Sequence, residues 1–240
     1  MAFVYLIRHG QAGFGTQHYD VLSPLGQRQA EHLGAWLCTC HIQSASCRSG
    51  SMQRQRQTAQ LCVPLILGEQ SAESPIQTDE RLNEFDYLDI LSAHIPNCSS
   101  DAALLGFLKQ QSGDPRRVFQ RLFSEAVAHW VAHERKIDGS AYRECWHEFQ
   151  QRTQAALTDA VELARAEGVN VMLFTSGGVI SAMVQNLLGI GDERIFDLNS
   201  TLLNTGITRL RVGHKRVHLD YLNACPHLEL QRQADLQTHR

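Results

Sequence analysis

The chain has 240 residues, 43% hydrophobic and 20% charged, with 22 basic residues against 25 acidic ones and a net charge of −3. That length can bury a sizeable core without disulfides or metal, and the near-neutral balance argues against a general nucleic-acid binder, whose footprint is a basic stripe or domain. No apolar run approaches the roughly 20 residues that span a bilayer, so neither a membrane nor a nucleic acid is expected as partner.

In chain order, Ala2 to Ile7 is a short apolar run rich in β-formers that stops at Arg8-His9-Gly10, as a strand buried on both faces would. It reads as a strand, not a leader peptide. Ser23 then caps a helix with Pro24 at its first position, and Ala30, Leu33 and Leu37 follow on one face. Ser44 to Arg48 is a weak second strand. Met52 to Leu61 reads as a helix, and Leu67 to Pro75 as a loop. Residues 89–112 have broken periodicity punctuated by Pro96, Gly106 and Gly113. Phe119, Leu122, Phe123, Ala126 and Trp130 mark an amphipathic helix to about Glu134. A long helix after Gly139 carries Phe149, Thr153, Ala156, Leu157, Ala160 and Ala164 along one side. Asn170 to Thr175 is an apolar strand, Gly177-Gly178 opens a helix to Leu188, and Thr205–Val212 and Arg216–Leu222 are the last strands. Strands alternating with helices predict a three-layer α/β/α sandwich around a mainly parallel sheet, in one domain spanning 1–240. Residues 86–140 are expected as a helical cap inserted over it.

In such sheets, ligands bind beyond the carboxyl ends of the strands. Arg8-His9-Gly10 and Ser176-Gly177-Gly178 both sit there, so two distant segments can converge on one pocket. Arg8 and His9 place a fixed cation beside a nucleophilic imidazole. The helix start at Gly177 offers unpaired N–H groups and a positive dipole end, a seat for phosphate.

These residues carry a resemblance. The chain resembles the histidine phosphatase superfamily, the group of the cofactor-dependent phosphoglycerate mutases. Arg8-His9-Gly10 matches its signature. Ser49-Gly50-Ser51-Met52-Gln53-Arg54-Gln55-Arg56-Gln57-Thr58-Ala59 looks like the second motif, with its arginine on Arg54. Arg81-Leu82-Asn83-Glu84-Phe85-Asp86 looks like the third, with its glutamate on Glu84, and Phe174 to Ile180 like the fourth. Asn204-Thr205-Gly206 and Asn223 to Leu228 are also family-like. The resemblance implies a phosphomonoester phosphatase that forms a phosphohistidine on His9, with Arg8 and Arg54 on the phosphoryl oxygens and Glu84 as acid and then base. It implies a small phosphorylated substrate, no metal and no cofactor; the seven cysteines, without repeated spacing, fit free buried thiols in a reducing cytosol, so a cytoplasmic enzyme is expected. The oligomeric state stays open, a dimer being one option.

One position departs from the pattern. Ser176 stands where the family has a second histidine, so Ser176 and the Gly177 N–H are expected to take over part of its work on the phosphate. Losing one transition-state donor costs about 2.7–4 kcal/mol, a hundred- to thousandfold in rate, which slows catalysis without abolishing it. Gln11 and His227 are further pocket candidates. His227 could replace the missing imidazole, although a structural hydrogen bond explains it equally well.

Other readings compete. A feeble family member could bind a phosphorylated ligand or partner, and a phosphoglycerate mutase would use the same residues. Ser176 at a strand-to-helix turn, with Asp197 and His227 downstream, mimics a hydrolase nucleophile elbow, but Phe174 stands where that pattern wants Gly. Cys38-Thr39-Cys40-His41 has the wrong spacing for zinc, and His129 and His133 lack the glutamate of H-E-x-x-H. The stretch 109–136 is net basic, from Lys109, Arg116, Arg117, Arg121, Arg135 and Lys136. It could steer an anion or simply be a solvated face.

Overall fold

A computed structural model describes residues 1–13, 20–42, 45–67, 76–95 and 97–239. Strand β1 (Ala2–Arg8) leads to helix α1 (Pro24–Thr39), β2 (Ala45–Ser49), α2 (Gln53–Leu67) and the short β3 (Gln77–Thr78). Helices α3 (Tyr87–Leu91), α4 (Asp101–Lys109), α5 (Pro115–Ala132) and α6 (Trp146–Glu167) follow, then β4 (Asn170–Thr175), α7 (Gly177–Leu188), α8 (Ile195–Thr201), β5 (Ile207–Val212), β6 (Val217–Ala224) and α9 (Pro226–Glu229). The sheet order is β3-β2-β4-β1-β5-β6. Pairs β2–β3, β2–β4 and β1–β4 are parallel, while β1–β5 and β5–β6 are antiparallel.

Alternation along the central strands builds the layers, because successive side chains leave opposite faces. Val4, Leu6, Val171 and Leu173 enter the cluster with Phe149, Ala160, Val179 and Met183 of α6 and α7. Tyr5, Ile7, Met172 and Phe174 enter the other, with Leu33 and Leu37 of α1 and Ala59 and Cys62 of α2. Each fully buried Leu or Ile of this kind contributes about 1.5–3 kcal/mol. The segment 86–140 adds to the first cluster: Ile90, Leu91, Leu104, Leu108, Phe119 and Trp130 are continuous with it. Its start and end are tied by Asp89, which holds Lys136 Nζ at 2.6 Å and accepts from the Arg143 N–H at 2.8 Å.

The caps are local chemistry. Ser23 Oγ accepts from the Gly26 N–H at 3.0 Å, with Pro24 opening α1. Gly168 closes α6 at φ 68°, a left-handed position where a side chain is strained.

Several expected boundaries differ. Helix α2 runs through Pro64 to Leu67, and α5 stops at Ala132. Helix α4 forms where Gly106 suggested a break, because Ser100 caps it and Leu104 and Leu108 bury one face. Strand β5 begins at Ile207, since Thr205 turns the chain at φ 58°. The expected strand residue Ser44, the loop 68–75 and Pro96 lie outside the described residues. The cysteines are free, but Cys38 and Cys40 are exposed because α1 ends beside them.

Candidate active site

Three parallel strands end together. Arg8 pairs with Thr175 and Ser49 with Phe174 in the register, so the chain leaves the sheet at His9, Gly50 and Ser176 along one edge. The His9 N–H donates to Thr175 O at 2.9 Å. A Cβ on Gly10 would meet Gly26 O at 2.4 Å, so only glycine lets this turn pack on the start of α1. Thr58 joins the first and second motifs: its Oγ1 accepts from the Gly10 N–H at 3.0 Å and donates to Arg54 O at 2.7 Å.

His9 is 8% exposed. Its Nδ1 lies 2.7 Å from Gly10 O, and Arg54 Nε donates to its Nε2 at 3.1 Å. A nitrogen that accepts from a guanidinium carries its lone pair outward, so the proton sits on Nδ1. Burial, then Arg54 and Arg8, push the imidazole well below its ordinary pKa, against the opposing Gly10 bond. The ring is neutral at pH 7. Arg54 is aimed by Asp20, whose two oxygens take its Nη1 at 2.6 Å and the Gln53 N–H at 2.8 Å. The Arg8 guanidinium donates to Leu202 O and to His239 O.

Glu84 opens onto the same cavity, with its carboxyl packed among protein atoms. Burial raises its pKa, although the N–H groups of Gly178 and Phe85 and the two arginines oppose this. The loop carrying it is pinned from three sides. Thr175 Oγ1 and Gln55 Nε2 donate to Leu82 O, at 2.6 and 3.0 Å, and Arg152 Nη1 donates to Arg81 O and Asn83 O, both at 2.8 Å.

The cavity holds about 490 Å³. Arg8, His9, Arg54, Glu84 and Asp20 line one part, with Asn199 and Asn204. Ala12, Met52, Phe85, Asp86, Tyr87, Phe119 and Phe123 line the rest. Asn204 is fully buried and donates to His9 O at 3.1 Å.

The other expected pocket residues sit elsewhere. Ser176 is fully buried and its Oγ accepts from Gln55 Nε2 at 2.8 Å, away from the cavity lining. The start of α7 is occupied from within: the Gly178 N–H donates to Glu84 Oε2 at 3.0 Å. A helix N-terminus attracts a carboxylate as readily as a phosphate, and here the carboxylate has the place. Gly177 stays close, its would-be Cβ 3.5 Å from Arg8 Nε. Gln11 links loops, accepting from Ser23 Oγ at 2.8 Å and donating its N–H to Gln29. His227 lies behind the strand end, its Nε2 2.9 Å from Thr205 Oγ1, and neither Gln11 nor His227 lines the cavity. The serine-hydrolase set is not assembled, since Asp197 pairs with Arg194 at 3.0 Å. Among the described residues, no three His, Cys, Asp or Glu side chains cluster as a metal site would need, and no helix is long and apolar enough to cross a membrane.

Sequence reading missed Asp20, Asn199 and the aromatic lining. Asp20 had no motif around it, whereas Phe119 and Phe123 were visible as an apolar helix face without any sign that part of it faces a cavity.

The family model described as histidine phosphatase superfamily (branch 1) matches residues 4–101 and 108–224. A Hydrogenobacter thermophilus protein assigned as phosphoserine phosphatase 2 is 24% identical over 233 residues, covering 95% of this chain and 98% of the relative. Among solved structures, a mutant phosphoserine phosphatase of Entamoeba histolytica in complex with phosphoserine superposes with a TM-score of 0.62 at 17% identity, over 95% of this chain and all of that one. A mycobacterial glucosyl-3-phosphoglycerate phosphatase with inorganic phosphate gives 0.62 at 21% identity, over 95% and 99%. At these identities the structures establish the shared α/β fold.

Proposed function

The chain belongs to the histidine phosphatase superfamily, branch 1, and from that premise we propose that it is a phosphoric monoester hydrolase whose nucleophile is His9 Nε2. The observation that carries the proposal is the state of that nitrogen. It is buried, it accepts a hydrogen bond from Arg54, and its partner nitrogen is fixed on Gly10 O. A neutral imidazole with its lone pair on Nε2, held by the Arg54 guanidinium and in the field of Arg8, is what attack on a phosphoryl group needs. Relatives named for phosphoserine and glucosyl-3-phosphoglycerate support the same bond class.

In the first transfer, Arg54 Nε releases the Nε2 lone pair, which forms the N–P bond while the ester P–O bond breaks. Arg8 and Arg54 bind the equatorial oxygens. Glu84, whose pKa burial raises, gives a proton to the departing alkoxide. In the second, the Glu84 carboxylate takes a proton from water, the water oxygen forms the new P–O bond, and the N–P bond breaks. Inorganic phosphate leaves, with His9 neutral and Glu84 protonated again. Ser176 acts from behind, holding Gln55 and through it the Leu82 carbonyl next to the Glu84 loop.

The test is turnover of a general aryl phosphate by wild type, His9→Ala and Ser176→Ala. His9→Ala should lose about 10⁴-fold or more, as removal of a nucleophile does, while Ser176→Ala should stay within about tenfold, the effect of a lost structural hydrogen bond. Turnover retained by His9→Ala would overturn the proposal.

A further inference from the structure

The part of the cavity away from His9 is built to a different rule. Phe85, Phe123 and Phe119 form a row: the Phe85 and Phe123 centroids are 6.4 Å apart with planes at 24°, and those of Phe123 and Phe119 are 5.6 Å apart at 13°. All three line the cavity. Phe85 and Phe119 are nearly buried, while Phe123 between them keeps part of its surface open. The row starts beside the reacting group, because Phe85 follows Glu84 in the chain. An ester oxygen placed to receive the Glu84 proton therefore lies close to the start of this row.

Charge narrows the choice. Among the described lining residues, the cations are Arg8 and Arg54, both beside His9, and the remaining charged groups are Asp20, Glu84 and Asp86. Asp86 is paired outside the cavity with the exposed Arg143 at 2.6 Å. A second phosphate or a carboxylate on the substrate would meet Asp86 and phenyl rings, with no further cation among the described lining residues to receive it. A flat apolar group meets the apolar side of this row where Phe123 is open, and about 490 Å³ exceeds what one phosphate fills.

We infer that the substrate's alcohol half carries an aromatic ring a bond or two from its phosphate, packed against the Phe85–Phe123–Phe119 row. This rests on the phosphatase reading above and departs from the phosphoserine and glucosyl-3-phosphoglycerate for which the relatives described above are named.

The experiment compares kcat/KM for ethyl, benzyl and naphthylmethyl phosphate and for phosphoserine. All four leave as primary alkoxides, so leaving-group chemistry does not mask recognition. Wild type should favour the two ring-bearing esters by about tenfold or more over the others, the scale of discrimination a hydrophobic pocket offers. In Phe123→Ala and Phe123→Leu, the ratio of naphthylmethyl to ethyl phosphate should collapse by about tenfold; as a ratio, it is independent of how much enzyme folds. A preference for phosphoserine, a ratio near one in wild type, or a ratio that survives in both variants would each overturn the inference, even where hydrolysis still depends on His9. Absence of turnover of every ester above the His9→Ala background would overturn the phosphatase reading and this inference with it.

Discussion

The two parts of the cavity are assembled in opposite ways. The phosphate end is made where three parallel strands stop, and its groups are fixed by directional hydrogen bonds: His9 on Gly10 O, Arg54 on His9 Nε2 and Asp20, and Glu84 on the Gly178 N–H. The far end is made by side chains of the segment after Glu84, Phe85 from the loop and Phe119 and Phe123 from α5, and its contacts are ring on ring. Directional bonds to the sheet edge locate atoms for a transfer reaction, whereas apolar stacking sets what fits without dictating one pose. Chemistry and selectivity are thus separable in this molecule, and substitutions should divide the same way.

The largest expected effect falls on the phosphate end. Glu84→Gln should slow hydrolysis of a primary alkyl phosphate by about 10²–10⁴-fold, the contribution of a general acid–base, and should do so for ring-bearing and ring-free esters alike. The pH profile gives the sign. Activity is lost as pH rises through the raised Glu84 pKa, which deprotonates the acid, and as pH falls through the depressed His9 pKa, which protonates the nucleophile. Glu84→Gln should remove the limb that falls with rising pH. An unchanged profile would break the assignment. The ring-row variants come next, with their roughly tenfold change confined to the ratio between esters.

The smallest effect separates two buried histidines. His227 is held at about 3 by burial and by His32, and it lies behind the strand end. Neutral when folded but protonated below about 6.5 when unfolded, it costs stability as pH falls from about 6.5 toward 3, by up to about 1.4 kcal/mol per pH unit. His227→Gln should flatten the decline of Tm between about pH 6.5 and 4.5, leaving turnover at neutral pH nearly intact. A large loss of kcat at neutral pH would return His227 to the reaction.

Much of this was legible in the residues. The apolar runs Ala2–Ile7 and Asn170–Thr175, the Ser23-Pro24 cap and the Gly177 helix start gave the sheet edge and its flanking helices, because buried strands and caps write themselves in consecutive residues. Arg8, His9, Arg54 and Glu84 stood in short motifs for the same reason. Asp20, Asn199 and the phenylalanine row did not. The period of α5 says that Phe119 and Phe123 share a face, but a face against core and a face against a cavity have the same period. Lys136 shows the same ambiguity: counted among cations that could steer an anion, it instead neutralises the buried Asp89. The start of α7 could have held either phosphate or carboxylate, and only the approach of the Glu84 loop decides it.

The central claim is that His9 Nε2 takes the phosphoryl group. Mixing the enzyme with a phosphate-labelled monoester, quenching in base and digesting the chain locates the label. The account predicts an acid-labile, base-stable phosphate on the peptide bearing His9, absent from the His9→Ala variant. A label on any other residue, or a label of equal yield in His9→Ala, would contradict it.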